Sequence, residues 1–473
     1  MKRIVRTSIS IALLVTAVSC KNDSIDYMSY YNKALEEISS EQNYGRSLYN
    51  DGDIKAARVI IDHALNIEGL VPMGENARIA KVPARPEYKS VVNPGGIARW
   101  EAQPENMKYI PYLQNFQFDM NVMRGDMAVS LDGKPLRATW DFTVKEFSPS
   151  CHGTFKILEV PDDKVTSDGF VDYLNSGAFK GCFAVVNWQR YLTLDAHHFE
   201  RYLPYIGKLD PEKISGVVFK DSELFPYFKA RSYYNSPVPV LMMTDDAIAD
   251  GSKEISVDID AEMISQRDAH NIIAYLPGTD MDSHERITFI AHYDHLGLMG
   301  RDNLYPGAND NASGVAMLLT LAEYFSRNRP SLGIEFIWLD AEEENLLGAF
   351  YYCANPTMPL DEIRFLVNLD MIADDGDLLV SECTMNGTDH LATIEAINSD
   401  NDGYPPFEIA LQDLSDNSDH YAFAEVGVPC IYFETEGSCY VHYHTPRDSY
   451  GNSTDVNFDR LFSLLVKYVE SQR

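Results

Sequence analysis

The chain has 473 residues, of which 45% are hydrophobic, so it is long enough for about two or three domains with separate cores. Its formal net charge of −32 at pH 7 argues against nucleic acid as a partner. A protein that binds phosphate groups needs clustered lysine and arginine, and this chain is strongly acidic instead.

The first twenty residues are predicted to be a signal peptide and not part of a folded domain. A basic start, MKRIVR, precedes the apolar run SISIALLVTAV, which is too short to span a bilayer because a membrane helix needs about 20 apolar residues. Residues 17–20, AVSC, resemble a bacterial lipoprotein box, in which the cysteine carries the lipid. We therefore expect a lipid on Cys20 to anchor the protein in the bacterial cell envelope, at the outer membrane because no Asp follows the cysteine. Secretion to the periplasm is the alternative.

Three further regions are predicted from composition and periodicity. Residues 21–125 are expected to contain a polar tether, up to about residue 34, and the N-terminal helical part of a catalytic domain. Residues 126–255 alternate short strand-like runs with turns, which indicates an inserted β-rich module. Residues 256–473 alternate strand and helix patterns, so the predicted fold class is α/β, with a sheet flanked by helices.

Five residues that can bind a metal ion are spread over this last region. The strand-like runs RITFIA, IEFIWLD and RFLVNLD each end close to a His, Asp or Glu, GANDNASG is a turn before a helical pattern, and YVHYHTP lies further on. In an open α/β sheet such residues gather beyond the carboxyl ends of the strands. Two zinc ions about 3.5–4 Å apart need a bridging carboxylate, with a His and a carboxylate for each ion. The residues that supply this set are His292, Asp310, Glu343, Asp370 and His444.

Two carboxylates beside these ligands have predicted roles in catalysis. Glu342 directly precedes a ligand, where it can act as general base on a zinc-bound water. Asp294 lies two residues after His292 on the same side of an extended chain, so its carboxylate can accept the other N–H of the imidazole. His295 is expected to be structural. His442 is an alternative to His444 for the last ligand position, and the YHTP motif favours His444.

The chain has six cysteines in addition to the predicted lipid attachment site. An even number in an oxidising compartment allows disulfides, and the first pairs to test are Cys430–Cys439 and Cys151–Cys182. The sequence contains no CxxC spacing, which argues against a zinc site made of thiolates.

The motifs HYDHLG, GANDNASG, DAEEENLLGA, NLDMI, SDHYAF and YHTPRD, in this order, resemble the di-zinc exopeptidase family. That family includes secreted bacterial aminopeptidases, glutamate carboxypeptidase, the transferrin receptor ectodomain and glutaminyl cyclases. The resemblance covers about residues 287–450. It implies a mixed sheet of the zinc-exopeptidase, phosphorylase/hydrolase-like fold and two zinc ions per chain. Carried over, the ligands are His292, Asp310 and Asp370 for one ion, and Glu343, His444 and the shared Asp310 for the other.

The resemblance also implies roles for the residues around the ions. Glu342 is the base, Asp294 the acid that orients the imidazole, and Tyr443 a donor to the tetrahedral oxyanion. The module at residues 126–255 resembles the protease-associated domain that several members carry at this point. Asn345 stands where the family usually has Gly, and we expect the turn to survive because Asn tolerates a left-handed backbone.

The expected function is therefore a metallo-aminopeptidase that removes N-terminal residues from peptides. A carboxypeptidase that trims acidic C-termini is an alternative and requires a basic pocket. A glutaminyl cyclase, an acyltransferase with a single zinc, is less favoured because such enzymes usually lack the DNASG continuation at residues 310–314. A receptor-like binding module is least favoured since no proposed ligand is missing. The sequence leaves the preferred residue and the oligomeric state open.

Overall fold

The computed structural model describes residues 25–74, 100, 104–165, 169–187, 206–221, 235–248 and 251–472. The predicted signal peptide and Cys20 lie outside these residues. Within the described part of the chain, no helix is long and apolar enough to cross a membrane.

The secondary structure of the described residues alternates strands and helices in the C-terminal region and consists mainly of strands between residues 113 and 276. The helices are α1 (Tyr27–Ile38), α2 (Gly52–Ala64), α3 (Asp162–Val165), α4 (Phe170–Leu174), α5 (Ser313–Arg327), α6 (Leu347–Ala354), α7 (Thr388–Ser399), α8 (His420–Glu425) and α9 (Phe458–Ser471). The strands are β1 (Val71–Pro72), β2 (Leu113–Leu131), β3 (Lys134–Pro135), β4 (Phe142–Val144), β5 (Cys151–Glu159), β6 (Cys182–Asn187), β7 (Gly216–Asp221), β8 (Val240–Thr244), β9 (Glu254–Leu276), β10 (Arg286–His292), β11 (Gly297–Met299), β12 (Asn303–Tyr305), β13 (Gly333–Leu339), β14 (Ile363–Leu369), β15 (Leu378–Cys383), β16 (Glu408–Gln412) and β17 (Cys430–Glu436).

The C-terminal region is built on a mixed sheet with the strand order β16-β15-β17-β14-β10-β13-β9. Strand β10 pairs in parallel with β13 and β14, and β14 pairs in parallel with β17, whereas β9 and β15 run antiparallel to their inner neighbours. Every residue of β10 and β13 is buried, as expected for parallel strands covered on both faces. The predicted α/β fold with a mixed sheet is confirmed.

Helices cover both faces of this sheet. One face packs its apolar side chains, including Phe289 and Trp338, against α1, α2, α5 and α9. The other face packs Ile290 and Ile337 against α6 and α8. Helix α5 lies next to the sheet because it is rich in Ala, Leu and Met, which favour helix and leave an apolar surface on most of its circumference. These two layers hold the strand ends rigidly.

Two long antiparallel strands connect this sheet to the inserted module. Strands β2 and β9 have 19 and 23 residues. Of the two edges that the sequence gives the module, residue 126 lies inside β2, where the pairing shifts register between Arg124 and Ala128, and residue 255 lies at the start of β9. Beyond them the sheet continues in the order β5-β6-β7-β8-β4, with parallel pairing from β5 to β8. The identity of the module as a protease-associated domain stays a prediction.

The expected end of the tether near residue 34 is wrong, because α1 already begins at Tyr27. Asp26 caps this helix by accepting a hydrogen bond from the Ser29 N–H at 3.1 Å. Tyr31 and Leu35 are buried in the same core as α5. The segment looks polar in sequence because only one side of the helix is apolar.

Neither of the two disulfide pairs named for testing is formed, since all six cysteines of the described residues are free. Strand β6 begins opposite Lys156, so Cys182 is displaced from Cys151 by five strand positions, about 17 Å. Cys430 opens strand β17, and Cys439 follows three residues beyond its far end. A disulfide requires Cα atoms about 4.4–6.8 Å apart, which neither pair can reach.

Candidate metal centre

The predicted ligands lie at the carboxyl ends of neighbouring parallel strands. His292 is the last residue of β10, Asp370 follows the last residue of β14, and Glu343 comes four residues after β13. Since β10 lies between β13 and β14, these three positions meet at one edge of the sheet. Residues that are far apart in the sequence are close in space here because their strands are neighbours in the sheet.

At this edge of the sheet, His292 faces the carboxylates of Asp310 and Asp370. The Nε2 atom of His292 lies 3.3 Å from Oδ1 of Asp310 and 3.3 Å from Oδ1 of Asp370. All three residues are buried and together form a group that could hold a metal ion.

A second histidine faces the other side of the same aspartate. The Nε2 atom of His444 lies 3.1 Å from Oδ2 of Asp310 and 3.4 Å from Oε1 of Glu343. Asp310 therefore presents one carboxylate oxygen to each histidine. This is the arrangement that a carboxylate bridging two metal ions requires.

His295 belongs to this centre, although the sequence favours a structural role for it. Its Nδ1 atom lies 2.9 Å from Oε1 of Glu343 and 3.7 Å from Oδ2 of Asp310, and the three form a second group that could hold a metal ion. The available signal is its place in HYDHLG, three residues after His292. The contact with Glu343 depends on the path of the chain after β10, which no residue pattern specifies.

The residues present fit zinc. Imidazole nitrogens and carboxylate oxygens are ligands that zinc prefers, and here they converge on a buried volume from four separate segments. Burying three carboxylates so close together is unfavourable unless cations compensate their charge. The neighbouring imidazoles of His295, His292 and His444 lower the pKa of Asp310 against the effect of burial, so its carboxylate is ionised and able to bind a metal.

Asp294 acts on the backbone of the next strand end. Its Oδ1 accepts a hydrogen bond from the Glu342 N–H at 3.0 Å, and its Oδ2 accepts one from the Glu343 N–H at 3.2 Å. The Nδ1 atom of His292 lies closer to the Asp294 backbone oxygen, at 3.2 Å, than to the carboxylate, at 3.8 Å. The prediction that the carboxylate orients the imidazole is therefore incomplete, because the carboxylate mainly fixes the backbone of Glu342 and Glu343.

Glu342 and Tyr443 are partly exposed residues that directly precede the predicted ligands Glu343 and His444. Glu342 is partly exposed, and the pKa of its carboxyl is raised by burial and by the charges of Glu343, Asp419 and Asp370. A raised pKa suits a group that accepts a proton and then passes it on. The ring of Tyr443 stacks on that of His444 with centroids 3.9 Å apart, and Tyr443 is also partly exposed.

The backbone of Asp310 is held from two sides, by Arg46, which lies outside every motif noted in the sequence, and by Asp448, the last residue of YHTPRD. Arg46, in the 3₁₀ segment Glu41–Arg46, donates hydrogen bonds to the backbone oxygens of Gly307 and Asp310 at 2.8 and 2.9 Å. On the other side, Asp448 accepts hydrogen bonds from the N–H groups of Asn309 and Asp310 at 2.7 and 2.9 Å. Arg46 is fully buried, and no local motif connects it to a loop more than 250 residues away.

The ligand Asp370 is held by a hydroxyl from the SDHYAF motif. Ser418 donates a hydrogen bond from Oγ to Oδ2 of Asp370 at 2.7 Å, and Asn368 donates one to the Ser418 oxygen at 2.7 Å. The second carboxylate oxygen of Asp370 remains turned toward His292. This chain of hydrogen bonds fixes which oxygen faces the centre.

The turn after the paired glutamates accommodates its unusual residue. Asn345 has a φ of 60°, in the left-handed region where glycine is most comfortable. The expectation that Asn preserves this turn agrees with the backbone, and Leu346 also has a φ of 60°.

Residues 271–469 match the model described as peptidase family M28. Leucine aminopeptidase 2 of Trichophyton equinum is 28% identical over 195 residues, which cover 38% of this chain and 36% of that protein. Aminopeptidase YwaD of Bacillus subtilis is 28% identical over 225 residues, covering 45% of this chain and 46% of that protein. The chain thus spans about a third to a half of the length of these relatives.

Solved structures match over nearly the whole chain. A zinc aminopeptidase from Bacillus subtilis, BSAP, has a TM-score of 0.63 at 17% identity, over 94% of this chain and 96% of that one. An aminopeptidase from Aneurinibacillus sp. strain AM-1 has a TM-score of 0.58 at 19% identity, over 93% of each chain. At these identities the likeness shows that the fold is shared.

Proposed function

Because residues 271–469 match the model described as peptidase family M28, we propose that this protein is a zinc-dependent aminopeptidase that hydrolyses the N-terminal residue from peptides. The observation that carries the proposal is the position of Asp310 between two histidines, each of which also faces a second carboxylate. The curated relatives named as aminopeptidases support the same activity.

Two zinc ions would share the centre. His292, Asp310 and Asp370 would hold one ion, and Asp310, Glu343 and His444 the other. His295 lies beside the second ion's ligands, with its Nδ1 atom 2.9 Å from Glu343. Bound zinc supplies a Lewis acid that polarises the scissile carbonyl and lowers the pKa of a water molecule.

The protein's own residues then handle the proton and the developing charge. Glu342 takes the proton of the attacking water and gives it to the leaving amine, a transfer that its raised pKa favours. Asp294 keeps Glu342 in place through the backbone hydrogen bond. Tyr443, next to His444, donates its hydroxyl to the oxyanion that forms from the carbonyl.

Replacing Glu342 by Gln tests the assignment of the base. We expect kcat to fall by about 10³-fold while the zinc content stays at two ions per chain, because the amide cannot accept the proton. Glu395→Gln, which makes the same change on the exposed side of α7, is the matched control and should leave kcat unchanged. An active Glu342→Gln enzyme would show that another group is the base.

The free N-terminus is tested with peptides that differ only in acetylation of the first residue. An aminopeptidase should hydrolyse the free peptide and leave the acetylated one intact. Equal rates of hydrolysis of the two peptides would contradict the proposed activity and would favour an enzyme that does not recognise the free α-amino group.

We also propose that Cys20 carries a lipid that holds the enzyme in the cell envelope. The support is the AVSC box after a basic and apolar leader. A Cys20→Ala chain should move from the membrane fraction to the soluble fraction when expressed in a bacterium, whereas a Cys439→Ala chain should not. If the Cys20→Ala chain stays with the membranes, the lipid is not the anchor.

A further inference from the structure

One acidic side chain beside the metal centre has no part in the proposed mechanism. Glu434 lies in β17, the parallel neighbour of β14. The Phe433 carbonyl accepts a hydrogen bond from the Asp370 N–H, and the Thr435 N–H donates one to the Met371 carbonyl, both at 3.1 Å. Glu434 is therefore placed directly beside Asp370 on the adjacent strand.

The side chain of Glu434 points to the same face of the sheet as Asp370. Tyr432 pairs with Asn368 across the two strands, so these two side chains share a face. Asp370 follows Asn368 by two positions and Glu434 follows Tyr432 by two positions, and each pair is joined on that face by hydrogen bonds. Asp370, one of the predicted ligands, directly follows the last residue of β14 on this face.

The chain satisfies only part of the Glu434 carboxylate. Tyr432 donates its hydroxyl to Oε2 at 2.7 Å, and in the described residues no hydrogen bond reaches Oε1. Glu434 is partly exposed, so a group that binds from solvent can reach it. Burial, together with the charges of Asp370 and Asp310, raises the pKa of the Glu434 carboxyl to about 8 despite the Tyr432 hydrogen bond.

A second acidic side chain is buried on this side of the centre. Asp419, at the start of α8, is fully buried, and neither of its carboxylate oxygens has a hydrogen-bond partner in the structure as described. Its charge raises the pKa of Glu342, which places it within electrostatic reach of the base. A cation bound beside these two acids would favour their ionised forms.

We propose that Glu434 is a specificity-determining residue that binds a cationic group of the first residue of the substrate. This inference rests on the proposed aminopeptidase function. The α-ammonium and the side chain of Lys or Arg share the chemistry that a carboxylate binds. The α-ammonium is only two bonds from the scissile carbonyl, so it has to lie close to the metal ligands, where Glu434 stands.

The test uses the full-length zinc-loaded enzyme with leucine, lysine and acetyl-leucine amides of a fluorogenic amine. We expect Glu434→Gln to raise KM by about tenfold or more, with kcat changed by about twofold at most, because the lost contact is a charge-assisted hydrogen bond. An increase in KM for both the leucine and the lysine amide identifies the α-ammonium as the bound group, and an increase for lysine alone identifies the side chain. Unchanged KM for both overturns the inference.

Glu408→Gln, the same substitution at an exposed position of β16, is the matched control and should leave both KM values unchanged. Zinc content is measured for each variant, because loss of zinc would lower kcat and would not raise KM selectively. If wild type cuts acetyl-leucine amide as fast as leucine amide, the aminopeptidase function fails. If wild type discriminates and Glu434→Gln behaves like wild type, only the role of Glu434 fails.

If Glu434→Gln does not fold, inhibition of the wild-type enzyme by a matched pair of compounds tests whether the site binds a cation. Isopentylguanidine and isopentylurea have the same shape, but only the guanidine is positively charged. Its protonated form has no free lone pair, so it cannot inhibit by binding zinc. We expect the guanidine to inhibit competitively at about tenfold lower concentration than the urea. Equal inhibition by the two would overturn the inference.

Discussion

The candidate metal centre is built by two regions that contribute in different ways. The C-terminal region supplies ligands from the ends of parallel strands, and each ligand acts through its own side chain. The described part of the N-terminal segment at residues 27–64 supplies one buried guanidinium, that of Arg46, which acts on the backbone oxygens of Gly307 and Asp310. Ligands can therefore be recognised by residue type, whereas their support cannot, because any residue can present a backbone oxygen.

The largest loss of activity is expected for changes at Asp310, which the C-terminal region supplies and Arg46 of the N-terminal segment holds. Asp310→Asn should lower kcat/KM by about 10³-fold or more and leave fewer than two zinc ions per chain, since an amide is a poor bridging ligand. Zinc analysis and the melting temperature with and without a chelator check this. Zinc stabilises only the folded state, so wild type should lose thermal stability on chelation and the variant should lose less.

Arg46→Met breaks the contribution of the N-terminal segment and leaves every ligand in place. We expect zinc affinity to fall by about 10–100-fold, as for other groups that support metal ligands. The free energy of unfolding should fall by about 3–5 kcal/mol, because the buried carbonyls and nearby acids lose their partner. Both are measured by zinc titration and denaturant unfolding.

The matched control for Arg46→Met is Arg286→Met. Arg286 is equally buried and pairs with Glu335 at 2.8 Å, at the opposite end of β10 from His292. It should lower the free energy of unfolding by a similar amount and leave zinc affinity unchanged. If both variants lose zinc equally, Arg46 acts through global stability and not through the loop.

Ser418→Ala sharpens the comparison within the C-terminal region. Loss of the 2.7 Å hydrogen bond should allow the Asp370 carboxylate to rotate, and we expect about a tenfold loss of zinc affinity. Ser463→Ala removes a hydroxyl that donates to Asn401 at the same distance, far from the centre, and should leave zinc affinity unchanged. An unaltered affinity in Ser418→Ala would mean that the strand backbone alone fixes Asp370.

The smallest change in the free energy of unfolding is expected for a substitution at Asn345, in the turn that follows Glu342 and Glu343. Asn345→Gly should raise the free energy of unfolding by a few tenths to about 1 kcal/mol, because glycine adopts a positive φ without strain. Zinc affinity should stay unchanged, since Asp294 holds the glutamate backbone independently. Denaturant unfolding measures the change, and a decrease in stability would show that the Asn side chain contributes to the turn.

Much of the architecture could be predicted because it depends on local patterns. Buried parallel strands give continuous apolar runs, such as those of β10 and β13, and a ligand that directly follows such a run has to lie at the edge of the sheet. The convergence of His292 and Asp370 follows from this rule. The early start of α1 was missed because a one-sided helix can look polar, and the disulfides were misplaced because cysteine number says nothing about register.

The sequence by itself determined the fold class, the order of the motifs and the chemical nature of the ligands, because each depends on residue type and spacing. The tertiary structure alone decided that Arg46 reaches the Asp310 loop, that Asp294 fixes a neighbouring backbone, that His295 joins Glu343 and that Glu434 stands beside Asp370. These contacts join residues brought together by strand order and by burial of the N-terminal segment. Such proximity is a property of the packed molecule, and no single segment of the chain encodes it.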